Sequence, residues 1–159
     1  MRELTITIRF SQPSLGNVKQ PDGSFAFPRG ATPVDVLFFA SWWKALICFA
    51  ADAVGKRQDA VREILWDPRI VGAPKTGPRY GYRRRRGERF IVHEQFAVGD
   101  TLSVHCLVPT EITDPDLLEL MTTAGAYRGI SPFQPGIFGQ FVVDRIEKKA
   151  GLSNPADSA

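Results

Sequence analysis

Between Val34 and Val54 the polar residues Ser41, Lys44 and Asp52 fall on one narrow helical stripe. Phe38, Phe39, Trp42, Trp43, Leu46, Ile47 and Phe49 take nearly all the remaining positions. A helix this apolar has to be covered on more than one side. One sheet covers a single side, so either the insertion that follows, over 55–75, or a second protein chain must cover the rest. Asp35, Ser41 and Lys44 interrupt the run, which therefore reads as a buried helix and not as a membrane span. Its start is predicted at Thr32-Pro33-Val34-Asp35, where Thr32 and Asp35 can cap reciprocally and Pro33 fits the first helical position.

Around this helix the chain alternates. Leu4, Ile6, Ile8 and Phe10 interleave with Thr5, Thr7 and Arg9, a period of two that predicts a strand with one buried face. Residues 11–31 carry the prolines and glycines of a long loop, or of a small hairpin about Asp22-Gly23. Gln58 to Leu65 suits a short helix, and Trp66 to Val71 an extended run. Two further strands are expected at Arg89–Phe96 and Thr101–Val108, paired across Val98-Gly99-Asp100. That register gathers Phe90, Val92 and Phe96 with Leu102, Val104, Cys106 and Val108. It also sets His93 opposite His105 on the other face and leaves Glu94 as a misfit on the core side. Thr113-Asp114-Pro115-Asp116 opens a second long helix with acids at its positive end, and Gly125 is its expected stop. A last strand follows over Phe138–Ile146.

The order β, α, β, β, α, β predicts an α+β protein with a ferredoxin-like βαββαβ core and a basic insertion before the second strand. One domain is expected over 1–150, with 55–88 as the insertion and 151–159 as a flexible tail. No signal peptide is visible ahead of the strand-like Glu3–Ile8, and a cytoplasmic protein is expected (host cytoplasm, if phage-encoded). Cys48 and Cys106 sit in apolar runs without ligand spacing, so neither a disulfide nor a metal is expected, and no cofactor motif is present.

Charge is concentrated in one place. Lys75, Arg79, Arg83, Arg84, Arg85, Arg86 and Arg89 stand against Glu88 alone, a net of +6 that leaves −3 for the rest of a chain totalling +3. With Tyr80 and Tyr82 among them, these guanidiniums can pair with phosphates while the rings stack on bases. The same basic loop could instead pair with an acidic protein surface. A second candidate is the loop from Gly125 to Gly139, where Arg128 and Gly129 could approach a phosphate closely. It is not a Walker loop, because no Gly-Lys-Ser/Thr follows and it leads into a strand.

The stretch Gly125-Ala-Tyr-Arg-Gly-Ile-Ser-Pro-Phe-Gln-Pro-Gly-Ile-Phe-Gly-Gln-Phe-Val-Val resembles the end of the repeat-associated (RAMP) proteins of CRISPR systems, and a group of uncharacterised phage proteins. The Val98-Gly99-Asp100 turn and the leucine-rich helix after Ile112-Thr113 add to the likeness, which covers about the last 70 residues. The resemblance implies a ferredoxin-like fold and binding to RNA. Together these features predict a non-catalytic protein that binds nucleic acid, single-stranded RNA or DNA, through the Lys75–Arg89 segment, Arg128-Gly129 and an open sheet face carrying Thr5, Thr7, Arg9, Gln95 and His105. Homo-oligomers or a protein complex are compatible with it, and no membrane partner is implied. One alternative is a protein-interaction module, such as a phage inhibitor docking on a bacterial defence complex through the basic loop and the Trp42/Trp43 helix. Another is a metal-independent ribonuclease using His93 or His105 as acid or base.

Overall fold

The computed structural model describes residues 1–76, 82–83, 90–133 and 138–148. In chain order its elements are β1 (Arg2–Phe10), β2 (Ser14–Leu15), β3 (Val18–Lys19), β4 (Phe25–Ala26), α1 (Ala40–Ala53), α2 (Gln58–Arg62) and β5 (Leu65–Trp66). There follow β6 (Lys75–Thr76), β7 (Tyr82–Arg83), β8 (Phe90–Ile91), β9 (Glu94–Phe96), β10 (Thr101–Val108), α3 (Asp114–Tyr127) and β11 (Phe141–Lys148). The protein is α+β. Its main sheet is antiparallel with the order β11-β1-β10-β5, and β2-β9-β6, β3-β4 and β7-β8 form small sheets beside it. Among the described residues, no helix is long and apolar enough to cross a membrane.

The alternation of β1 and β10 does what it predicts. Leu4, Ile6, Ile8 and Phe10 join Leu102, Val104, Cys106 and Val108 in one buried layer. Trp43, Leu46, Ile47, Ala50 and Ala51 of α1 and Leu117, Leu120, Met121 and Ala124 of α3 pack into the same core. Part of the remaining circumference of α1 is covered from within the chain, while Phe49 and the preceding Phe39 stay exposed. Val61, Ile64 and Trp66 are buried against it, and Trp66 stacks on Trp43 with ring centres 5.3 Å apart.

α1 begins later than its capping signal predicts. Val34 is 83% exposed in a turn that the Asp35 amide closes on the Thr32 carbonyl at 3.1 Å, and Val36 to Phe39 run extended. Arg29 bridges Val36, Leu37 bridges Arg69, and the Phe38 amide donates to the Pro68 carbonyl at 2.9 Å. Extension sends Val36 and Phe38 to the same side. There Phe38 meets Phe27, Phe96 and Trp43 with ring centres 5.3 to 6.0 Å apart. Burial of those two side chains outweighs a local cap whose net value is about 1 kcal/mol.

The expected pairing of 89–96 with 101–108 does not occur. β10 pairs with β5, through Cys106↔Trp66 and Leu107↔Leu65, and Val71 bridges Ser103. β9 leaves the main sheet and pairs with β2 and β6. Gly99, at a φ of +89°, donates its amide to the Phe10 carbonyl at 2.8 Å, so the turn is tied to the end of β1 and not to a hairpin of its own. This exchange explains Glu94. It is 7% exposed and ion-paired with Arg29, and it accepts the Phe27 amide at 2.9 Å. The Asp22-Gly23 hairpin forms between β3 and β4, with Gly23 at a φ of +87°. Thr113 caps α3 by accepting the Asp116 amide at 3.2 Å. The helix runs past Gly125 and stops at Gly129, whose φ is +76°. The predicted tail, 151–159, lies outside the described residues.

Candidate nucleic-acid interface

Antiparallel backbone pairing marks out the basic segment at two places. β6 pairs Lys75 with Gln95 and Thr76 with Glu94, which joins the start of the segment to β9. Farther along, Tyr82↔Ile91 and Arg83↔Phe90 make β7 and β8 a two-stranded ladder. Arg84, Arg85, Arg86 and Arg89 belong to the stretch between those strands and lie outside the described residues, as do Arg79 and Tyr80. The Lys75 ammonium is 3.4 Å from Asp100 and mostly exposed, so this contact leaves it open to a second anion.

The open face of the main sheet is polar but largely engaged with itself. The Thr5 hydroxyl and His105 Nδ1 are 2.8 Å apart, and the Thr7 and Ser103 hydroxyls 2.7 Å apart. Arg9 forks onto Asp144, donating from Nε at 3.2 Å and from a terminal nitrogen at 2.8 Å. A phosphate would have to displace that carboxylate. His105 lines a cavity of about 280 Å³ with Glu3, Leu65, Trp66, Asp67, Cys106 and Leu107, where two carboxylates repel a polyanion. Gln95 sits on β9, in a different sheet from Thr5, Thr7 and Arg9.

Arg128 and Gly129 lie on the helix side, away from Arg9 and His105. The Arg128 guanidinium stands over the Phe49 ring at 5.6 Å from its centre. Together with Asn17, Ser41, Trp42, Ala45, Ile130, Ser131 and Pro132, the two residues line a second cavity of about 160 Å³. Arg128 has no carboxylate partner among the described residues. The neighbouring glycine amides, by contrast, are already used: Gly129 donates to the Ala124 carbonyl at 2.9 Å and Gly139 to the Pro13 carbonyl at 2.7 Å. These glycines answer to close packing. A Cβ on Gly129 would lie 2.5 Å from the backbone of Gly139 and Gln140. Any grip on a phosphate here falls to the Arg128 side chain. Sequence reasoning left out Trp42, Ser41 and Asn17 as companions of Arg128. They come from two distant segments, and only packing brings them together.

His93 and His105 do not face each other. His93 is 1% exposed, stacked on Phe25 with ring centres 5.1 Å apart and tilted against Phe133 at 4.7 Å. Its Nδ1 lies 2.6 Å from the Gly16 carbonyl, which can only accept, so Nδ1 carries the proton. Nε2 is buried and has no partner among the described residues. Burial pushes the Cys106 thiol up to about 12, which makes it a packing group and not a nucleophile. Among the described residues, no three His, Cys, Asp or Glu side chains gather as a metal site. In comparisons with known proteins, no family model matches the chain, and no curated protein is significantly similar to it.

Proposed function

We propose that the protein binds nucleic acid, single-stranded in preference, through the Lys75–Arg89 segment, with Arg128 as a separate contact on the helix side. The observation that carries this reading is the separation of charge. The body's Arg2, Arg9, Arg29 and Arg145 are each held by a carboxylate of the body. The Lys75–Arg89 segment keeps an excess of +6 with one acid of its own. A polyanion meeting such a segment releases counterions for each phosphate paired, a gain the acidic remainder of the chain cannot offer it.

The RAMP-like, ferredoxin-like reading of the fold belongs to the same proposal. Its support is the order β11-β1-β10-β5, with α1 between β1 and β5 and α3 between β10 and β11. On this reading β5 serves as the very short second strand of a split βαβ. On this reading the basic segment lies after the second strand and not before it.

Gel-shift binding to single- and double-stranded RNA and DNA at two salt concentrations tests the proposal. Changing Arg83, Arg84, Arg85 and Arg86 to Gln should leave the fold standing and flatten the salt slope. Each contact to a single strand contributes about 0.7 to that slope, so losing three or four should remove roughly 2 to 3. The loss should be similar for different sequences, since phosphates carry no base identity. Unchanged binding by the variant would remove the segment from the interface. Absence of binding by the native chain at low salt would favour a second reading, a protein-docking module. The observation behind that reading is the aromatic surface of Phe39, Trp42 and Phe49 around Arg128, with Phe39 42% exposed.

A further inference from the structure

The outer edge of β11 has no strand beside it among the described residues, although β11 is eight residues long. Long open edges are a standing hazard for uncontrolled pairing. Part of this one is blunted. Thr7 pairs with Arg145 and Ile8 with Val143, so Asp144 is the extra residue of a bulge, and its carboxylate is turned to Arg9. Beyond the bulge, Arg145-Ile146-Glu147-Lys148 runs as regular strand, and Arg145 and Glu147 lie on the open sheet face with Thr7 and Thr5.

The charges of this stretch are antisymmetric about Ile146. Asp144 and Lys148 flank it at two residues, Arg145 and Glu147 at one. We propose that β11 pairs antiparallel with β11 of a second copy of this chain, the two-fold axis passing through Ile146. Ile146 then meets its counterpart, Arg145 of each copy, 3.0 Å from Glu147 of its own strand, also faces Glu147 of the other, and Lys148 comes opposite Asp144 where the bulge ends the ladder. The choice of register follows from the same residues. Sliding by one residue sets Arg145 against Lys148, or Asp144 against Glu147. Sliding by two sets Arg145 against itself, or Glu147 against itself. Directly opposed like charges are destabilising, so among registers within two residues of it only the Ile146-centred ladder is free of them.

The helix layer is compatible with this occupant. Gly125 of α3 rests on Phe141, and Leu118 lies two turns earlier on the same helical face. Two turns are about 10 Å, or roughly three residues of strand, so the exposed Leu118 lies on the α3 face that packs along β11. The short ladder suits a reversible dimer, and the sheet it creates has eight strands with both β11 edges closed.

Sedimentation equilibrium without nucleic acid tests the dimer apart from any binding activity. The native chain should rise from one chain mass toward two as concentration increases. Arg145→Glu, and separately Glu147→Arg, should each hold the protein monomeric over the same range, because each opposes two pairs of like charges. The double variant Arg145→Glu/Glu147→Arg restores opposite charges across the axis and should restore the dimer. A native chain that stays monomeric throughout, single variants that still dimerise, or a double variant that does not recover would overturn the proposal. Should a single variant unfold, amide exchange of the native chain decides. Protection over Arg145–Lys148 that grows with protein concentration supports the pairing, and exchange independent of concentration overturns it.

Discussion

Trp43 of α1 and Trp66 of β5 stack nearly parallel, 5.3 Å between ring centres and 13° between planes. This contact joins the main helix to the strand that closes the sheet beside β10. It is also how the chain covers an otherwise bare side of α1. Both indole N–H groups are buried without an acceptor among the described residues, so the pair stabilises through area and ring contact. Trp66→Ala should therefore cost about 3–5 kcal/mol in denaturant unfolding, as large-to-small changes at filled sites do. Trp66→Phe keeps a ring and removes an unpaired donor, and should lose well under half as much. Equal losses for the two variants would show that the indole N–H holds structure after all.

Glu94 is the second place where a non-local contact carries the fold. Its carboxylate takes both the Arg29 guanidinium and the Phe27 amide, linking β9 to the segment after β4. Glu94→Ala leaves a buried amide and a half-buried cation without their acceptor, at a cost on the order of 2 kcal/mol. Glu94→Gln keeps one acceptor oxygen and should lose less. Chemical denaturation of the two variants at neutral pH measures the difference, and an Ala variant as stable as the native chain would mean that water replaces the carboxylate at no cost.

Features that depend on neighbours in sequence were legible. The alternation of β1 and β10, the Thr113 cap, the short helix at Gln58 and the Asp22-Gly23 turn all follow from residues a few positions apart. What could not be read was the choice among distant partners. Phe90, Val92 and Phe96 alternate well enough to pair with β10, yet Leu65-Trp66 takes that place because Trp66 also fills the gap beside Trp43. The Thr32-Pro33-Asp35 signal is a sound local cap that lost to the burial of Val36 and Phe38. For the candidate site, composition alone located the basic segment. The engagement of Arg9 by Asp144 and of His105 by Thr5 depends on strand pairing, which the sequence does not display.

Gly125 gives a prediction in which two effects oppose each other. Inside α3, replacing glycine by alanine should gain about 1 kcal/mol from helix propensity. A Cβ there would lie 2.6 and 2.8 Å from the Phe141 ring and closer still to the Phe141 carbonyl. Moving β11 away to make room costs about 1–3 kcal/mol, as overpacking generally does. The clash should win, so Gly125→Ala is expected to lower the thermal midpoint. A raised midpoint would mean that α3 and β11 can separate freely, and that the glycine marks no close approach.

The two histidines should separate cleanly on substitution. His93 is enclosed by Phe25 and Phe133, and its Nδ1–H satisfies the Gly16 carbonyl. His93→Ala opens a cavity and strands that carbonyl, so it should destabilise the fold by about 2–4 kcal/mol. His105 is half-buried, with a single hydroxyl partner, and His105→Ala should change stability by less than about 1 kcal/mol. Neither histidine has the other as an acid–base counterpart, so nucleic-acid binding by the folded His105→Ala variant should match that of the native chain. A ribonuclease test on the native chain and on His105→Ala completes the comparison. Cleavage by the native chain that disappears in the folded variant would make His105 a catalytic group, with Glu3 and Asp67 of its cavity as the carboxylates to change next.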